Sequence, residues 1–205
     1  MKHNIFKFFV LLSITLSCNS NTNNSNLRSI KEKVEVPQLE VDKLNFIKTL
    51  GRIHDTINEP TLSDLNYESY RFNYLDAFQR HKLFRINHYG ENYNELIVKF
   101  YESDGNYENE TYSLISEDKI DLNPEQYKEF KSLIKGSYFW SMKESENPIP
   151  QYLDGYIFVL EGYSPKLEHS ESRFNRVYRV VPYKGSFRQA CEKLMEFYEQ
   201  SKTEK

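Results

Sequence analysis

YESYRFNYLDAFQRHKLFRINHYGENYNELIVKFYESDGNYENETYSLI, Tyr67 to Ile115, carries the pattern that decides the fold. Aromatic and aliphatic residues alternate with polar ones in Tyr70, Phe72 and Tyr74, then in Leu83 to His88, Glu95 to Tyr101 and Glu110 to Ile115. A period of two puts one set of side chains on one face of a strand. Turn chemistry separates the runs at Tyr89-Gly90-Glu91-Asn92 and at Asp104-Gly105-Asn106. Connections this short join antiparallel neighbours, because parallel strands need long crossovers.

Working outward, Asn123-Pro124-Glu125-Gln126 places a capping side chain, a Pro at the first helical position and a Gln at the third; Tyr127, Phe130, Leu133 and Ile134 then form one apolar stripe. Ser186-Phe187-Arg188-Gln189 reads as a second capping box, followed by Ala190, Cys191, Leu194, Met195 and Tyr198. Cys191 in that stripe reads as a small core residue. Upstream, Leu39 to Ile57 repeats apolar residues at three- and four-residue steps and predicts an amphipathic helix, weakened by Gly51. Tyr156 to Leu160 is apolar on both faces, which suits a strand covered on both sides, and it forms a hairpin with Phe174 to Pro182. The expected class is α+β: an antiparallel meander of five or six strands packed with two to three helices. Aromatic residues make up 15% of the chain, enough apolar mass to exclude a disordered protein.

The N-terminal end has a different texture. Lys2 and Lys7 precede the apolar run Phe8 to Leu16, which ends at Ser17-Cys18 and is followed by an Asn/Ser/Thr tract, Asn19 to Asn26. A basic start, a short apolar run and a small residue are the parts of an export signal, and the run is too short to span a bilayer. The layout resembles a bacterial lipoprotein signal, with Thr15 at the position where that family usually has Leu. The resemblance implies that Cys18 is acylated and anchors the chain in a membrane of the cell envelope. Residues 1–17 are then the signal peptide, 18–38 the acylated cysteine and a flexible tether, and 39–205 one α+β domain. The leader holds two Lys and no acids, so residues 18–205 carry 25 basic against 30 acidic side chains. A net acidic chain lacks the basic field that collects nucleic acid, and no nucleic-acid partner is expected. With Cys18 acylated, Cys191 has no cysteine to pair with.

The last 70 residues carry a second resemblance. Phe139-Trp140, Asp154-Gly155 with Glu161-Gly162 after it, Arg179-x-x-Pro182 and a last helix bearing Cys191 are similar in order to an uncharacterised group of small bacterial proteins. This chain has Phe158 and Val180 where that group often has Trp. The resemblance implies a fold and no reaction. From the residues alone, Asp154-Gly155 and Glu161-Gly162 read as turns bracketing a strand, with the acids as local caps. A sharper reading brings Asp154, Glu161 and Arg179 together at one end of the sheet as a polar binding site. A hairpin centred near Leu167 puts Arg179 opposite Tyr156, near Asp154 and away from Glu161.

No catalytic residues are assigned. His54, His81, His88 and His169 form no HExxH, and there is no CxxC, Gly-x-Ser-x-Gly elbow, Walker loop or Gly-x-Gly-x-x-Gly, so no metal or cofactor is expected. The expected function is a non-catalytic, membrane-tethered binding or accessory lipoprotein with a protein partner in the cell envelope. The tyrosines of Tyr67 to Tyr74 and Tyr89 to Tyr112 are candidate contact residues. The alternatives are an enzyme of unknown reaction near Asp154 and Arg179, or an immunity lipoprotein that neutralises a toxin.

Overall fold

In the computed structural model, residues 38–76, 80–90, 93–105, 110–145, 155–166, 170–180, 182 and 184–203 are described. The signal, Cys18 with its tether up to residue 37, and Asp154 lie outside them, and residue 38, the last of the expected tether, already belongs to a helix. A helix, α1 (Gln38–Thr56), leads through a 3-10 turn at Leu62–Asp64 into four strands: β1 (Glu68–Asp76), β2 (Arg80–His88), β3 (Asn94–Ser103) and β4 (Tyr112–Leu122). Then come α2 (Pro124–Gly136), a 3-10 turn at Phe139–Ser141, the hairpin β5 (Tyr156–Ser164) and β6 (Arg173–Val180), and α3 (Ser186–Thr203). The six strands form one antiparallel sheet in the order β4-β3-β2-β1-β5-β6. This is the expected α+β class, with the meander extended by a hairpin that adds to the open side of β1.

The alternation in the sequence becomes two unlike faces. On one, Tyr70, Phe72, Phe84, Ile86, Leu96, Val98, Phe158 and Leu160 pack against Phe130 and Ile134 of α2 and Ala190, Cys191, Leu194 and Phe197 of α3. On the other, Leu83, Tyr101, Ile157, Val159 and Tyr178 meet Leu50, Ile53 and Ile57 from α1 and the residue just past its end. β5 is buried on both sides, as its unbroken apolar run predicts. Cys191 is a core residue, and burial pushes its thiol up from the ordinary cysteine range.

Helix ends follow local chemistry. The Asn123 side chain accepts from the Gln126 N–H while Gln126 Oε1 accepts from the Asn123 N–H, both at 2.9 Å, completing the capping box at α2. At α3 the first backbone bond runs from the Gln189 N–H to the Gly185 carbonyl, so Gly185 takes the cap position that the Ser-x-x-Gln spacing assigns to Ser186. α1 ends at Asn58, left-handed at φ 54°, with Glu59 N–H donating to His54 O and Asn58 N–H to Asp55 O. These two bonds are the Schellman closure. They turn the chain back over the sheet and bring Glu59 down onto it.

Three expectations need correction. β4 runs to Leu122, well beyond the predicted Ile115. Its second half, Ser116-Glu117-Asp118-Lys119-Ile120-Asp121, has little strand propensity, but it lies at the sheet edge, where pairing with β3 decides conformation and charge discourages further strands. Glu161-Gly162 is not a turn: both residues sit inside β5. Gly155 alone has the positive φ, 150°, that the bracketing-turn reading requires. In the β5–β6 hairpin, Arg179 pairs with Phe158 rather than Tyr156.

Candidate functional site

On the α1 side of the sheet the register lines up Arg85, Arg71, Glu161 and Arg176 across β2, β1, β5 and β6. Two arginines directly opposite one another on a buried face repel, and the carboxylates offset this. Arg71 Nε donates to Glu161 Oε2 at 2.7 Å, and Arg176 Nε donates to Glu161 Oε1 at 2.8 Å. Glu59, delivered by the turn after α1, accepts from Arg85 Nε at 2.8 Å and pairs with Lys99 Nζ at 2.9 Å. Lys99 also donates to the carbonyls of Ile57 and Asn58, placing a cation where the helix leaves carbonyls unpaired. The Glu59 and Glu161 side chains are wholly shielded from water.

Burial alone raises a carboxyl pKa. At Glu161 it is outweighed by Arg71, His54 and Arg176, which hold the group down at about 2. His54, whose Nε2 lies 3.1 Å from Asn73 Oδ1, is pushed down to about 4, first by burial and then by Arg71. Near neutral pH, Glu161 is therefore a fixed anion and His54 a neutral ring. Neither is poised to exchange a proton, and both oxygens of Glu161 are occupied by guanidinium groups. The row ties β2, β1, β5 and β6 together.

The opposite side of the molecule carries an open hollow of about 680 Å³ between α2, the Phe139–Ser141 turn and the start of β6. Lys128, Lys131, Ser132 and Lys135 line it from α2. Positions 128, 131 and 135 repeat at three and four residues, so they form one stripe beside the buried stripe of Tyr127, Phe130 and Ile134. α2 ends with the Ser137 N–H on Leu133 O and the Tyr138 N–H on Lys135 O. Tyr138 is left-handed at φ 56° and 77% exposed, an uncommon state for a tyrosine that projects its ring at the rim. Phe139 is buried beneath, and the Arg173 guanidinium lies 4.0 Å from the centre of the Trp140 ring.

The cations of the hollow differ in their partners. Lys131 donates to Glu68 Oε1 at 2.5 Å and to Tyr70 Oη at 2.8 Å, and Glu68 also accepts from Tyr127 Oη. Burial raises the Glu68 pKa, but Lys131 overrides it and the net shift is downward, so this pair is internally neutral. Lys128, Lys135 and Arg173 have no carboxylate partner among the described residues. The hollow thus sets three cations without carboxylate partners among the described residues around an aromatic and aliphatic floor. Among the described residues no group of His, Cys, Asp and Glu could hold a metal ion.

Of the residues singled out in the sequence, Glu161 lies in the charged row. Arg179 lies three positions from Arg176 along β6, toward the other face, over the Phe187 ring, and donates to the Glu144 and Lys143 carbonyls. The structure does not bring Arg179 and Glu161 together. Arg179 and the Tyr178 N–H, which also donates to Glu144 O, strap the segment before residue 146 along the outer edge of β6. Of the candidate contact tyrosines, Tyr70 and Tyr101 are buried, while Tyr89 and Tyr93 are exposed and stacked 5.2 Å apart. Lys128, Lys135 and Arg173 were not among the expected site residues. Their signal was the lysine spacing on α2, which becomes a site only once the fold sets Arg173 beside Trp140. Comparison with known proteins finds no protein family, curated protein or solved structure that matches this chain.

Proposed function

We propose that this protein is a non-catalytic binding lipoprotein of the cell envelope, held to a membrane through acylated Cys18, that takes its ligand in the hollow between α2 and β6. The observation that carries the binding role is the cluster of three cations without carboxylate partners among the described residues, set around exposed Tyr138 and half-buried Trp140, on a chain whose formal charge is −3. A local reversal of sign over an apolar floor selects partners of opposite charge. The tether rests on the basic start, short apolar run and Ser17-Cys18 of the N-terminal segment. A diacylated cysteine with an amide-linked chain supplies more than one hydrocarbon anchor, which is what stable attachment requires.

The test is affinity capture from membranes with the acylated chain as bait, set beside Cys18→Ala and Trp140→Ala forms. Retention of one stoichiometric partner by the parent and its loss from Trp140→Ala supports the reading. A partner held equally by the parent and Trp140→Ala overturns the assignment of the hollow.

A further inference from the structure

The reading of the hollow as a binding site leaves its ligand unspecified, and the distribution of charge within it narrows the choice. Lys128 and Lys135 are seven residues apart on α2, about 10 Å along the axis at 1.5 Å per residue. Arg173 stands across from them on β6. Charges so spread do not converge on one compact anion. Lys135 also lies in the last turn of α2, where the helix dipole presents partial negative charge and opposes a concentrated dianion such as phosphate. A ligand matched to this surface carries several single negative charges at intervals, with apolar mass between them for the Tyr138 ring and the Trp140 edge.

We infer that the hollow takes an acidic segment of a partner protein, its carboxylates facing Lys128, Lys135 and Arg173 and an aromatic or large aliphatic side chain lying against Tyr138 and Trp140. An extended peptide rises about 3.3 Å per residue, so a few residues span the lysine pair. Arg173 Cζ lies 4.0 Å over the centre of the Trp140 ring, a contact that leaves its N–H groups available for a bidentate carboxylate. The inference rests on the proposed binding role of the hollow.

Trp140 is the only tryptophan in the chain and lines the hollow, so its emission reports occupancy directly. The experiment displays random octapeptides on phage, selects them against the acylated protein extracted from membranes in detergent, and titrates the selected peptides while following Trp140 fluorescence. Sodium phosphate and phosphatidylglycerol vesicles serve as parallel probes. Selected peptides rich in Asp and Glu around an aromatic residue, which move the Trp140 signal and lose about tenfold or more in affinity against Lys128→Glu/Lys135→Glu, support the inference. Both lysines are exposed, and an unchanged melting temperature separates lost binding from lost folding. Selected peptides without acidic enrichment, or unaffected by the double charge reversal, overturn it. So does a Trp140 response to phosphate or vesicles alone, although that result keeps the hollow as a binding site. Silence from Trp140 toward every probe overturns both the inference and the role of the hollow.

Discussion

Glu161 has its whole side chain out of water, and two guanidinium groups hold its oxygens. Removing one member of such a group is costly because the remaining charge stays buried without its partner. Glu161→Gln is expected to destabilise the fold by about 3 kcal/mol, read from urea unfolding at pH 7. A cost near zero would mean that Arg71 and Arg176 find other partners. The same row sets a pH dependence. The folded pKa of Glu161, about 2, lies below the unfolded value of 4.5, so its contribution is complete above that value and disappears as pH falls toward 2. His54 binds its proton less readily when folded, at about 4 against 6.5 unfolded. Its neutral form is therefore favoured by folding, with a contribution that is complete above 6.5 and lost as pH falls toward 4. Stability should be level near pH 7 and decline from 6.5 downward, the first part through His54 together with His81, whose pKa burial also lowers. In His54→Gln the slope between pH 6.5 and 4 should flatten; an identical slope would remove His54 from the account.

At the scale of elements, β5 shows why a pair of adjacent residues can look like a turn and be something else. Glu161 faces the charged side of the sheet, and Gly162 faces the apolar side, where an added Cβ would lie 2.6 Å from Phe139 Cε1 and 2.9 Å from Tyr70 Cδ1. Glycine is there for closeness, since its φ is not positive. Gly162→Ala should cost about 1 to 3 kcal/mol through displacement of the Tyr70 and Phe139 rings, measured as a drop in the urea midpoint. An unchanged midpoint would show that the rings move aside freely. The elements themselves were largely legible. Alternation marked β1 to β3, the Asn123 box marked α2, and apolar spacing marked α1 and α3. Pairing could not be read in the same way. The polar half of β4 is a strand only because β3 lies beside it, and Arg71 meets Glu161 across 90 residues of chain, a distance at which no local pattern speaks. The charged row and the hollow are both products of that pairing. Glu161 was visible as a residue of interest, but its partners were not, and Trp140 was visible without the cation that covers it.

For the whole molecule, the sheet separates two kinds of cohesion. One face joins two helices through aromatic and aliphatic packing, and the other joins α1 through a mixture of apolar contact and fixed charge. Among the described residues no helix is long and apolar enough to cross a membrane. The proposed attachment through Cys18 makes a direct prediction about the intact chain. Labelled palmitate should be incorporated by the parent and not by Cys18→Ala, which should accumulate as an uncleaved precursor or leave the membrane fraction. Labelling that persists in Cys18→Ala would refute the anchor.

The strand order also bears on how the protein acquires its shape. β1 is an interior strand, yet one of its two neighbours is β5, which the chain supplies only after β2, β3, β4 and α2 have been made. Until then the meander has an open inner edge, Arg71 lacks the carboxylate that neutralises it, and the apolar face lacks α3. Contacts between distant parts of a chain form slowly because the intervening loop must be closed before they contribute. Folding should thus be governed by a late, cooperative closing event set by the arrival of the C-terminal hairpin, and a chain stopped after α2 would present a hydrophobic, self-adhesive edge in place of a smaller native domain.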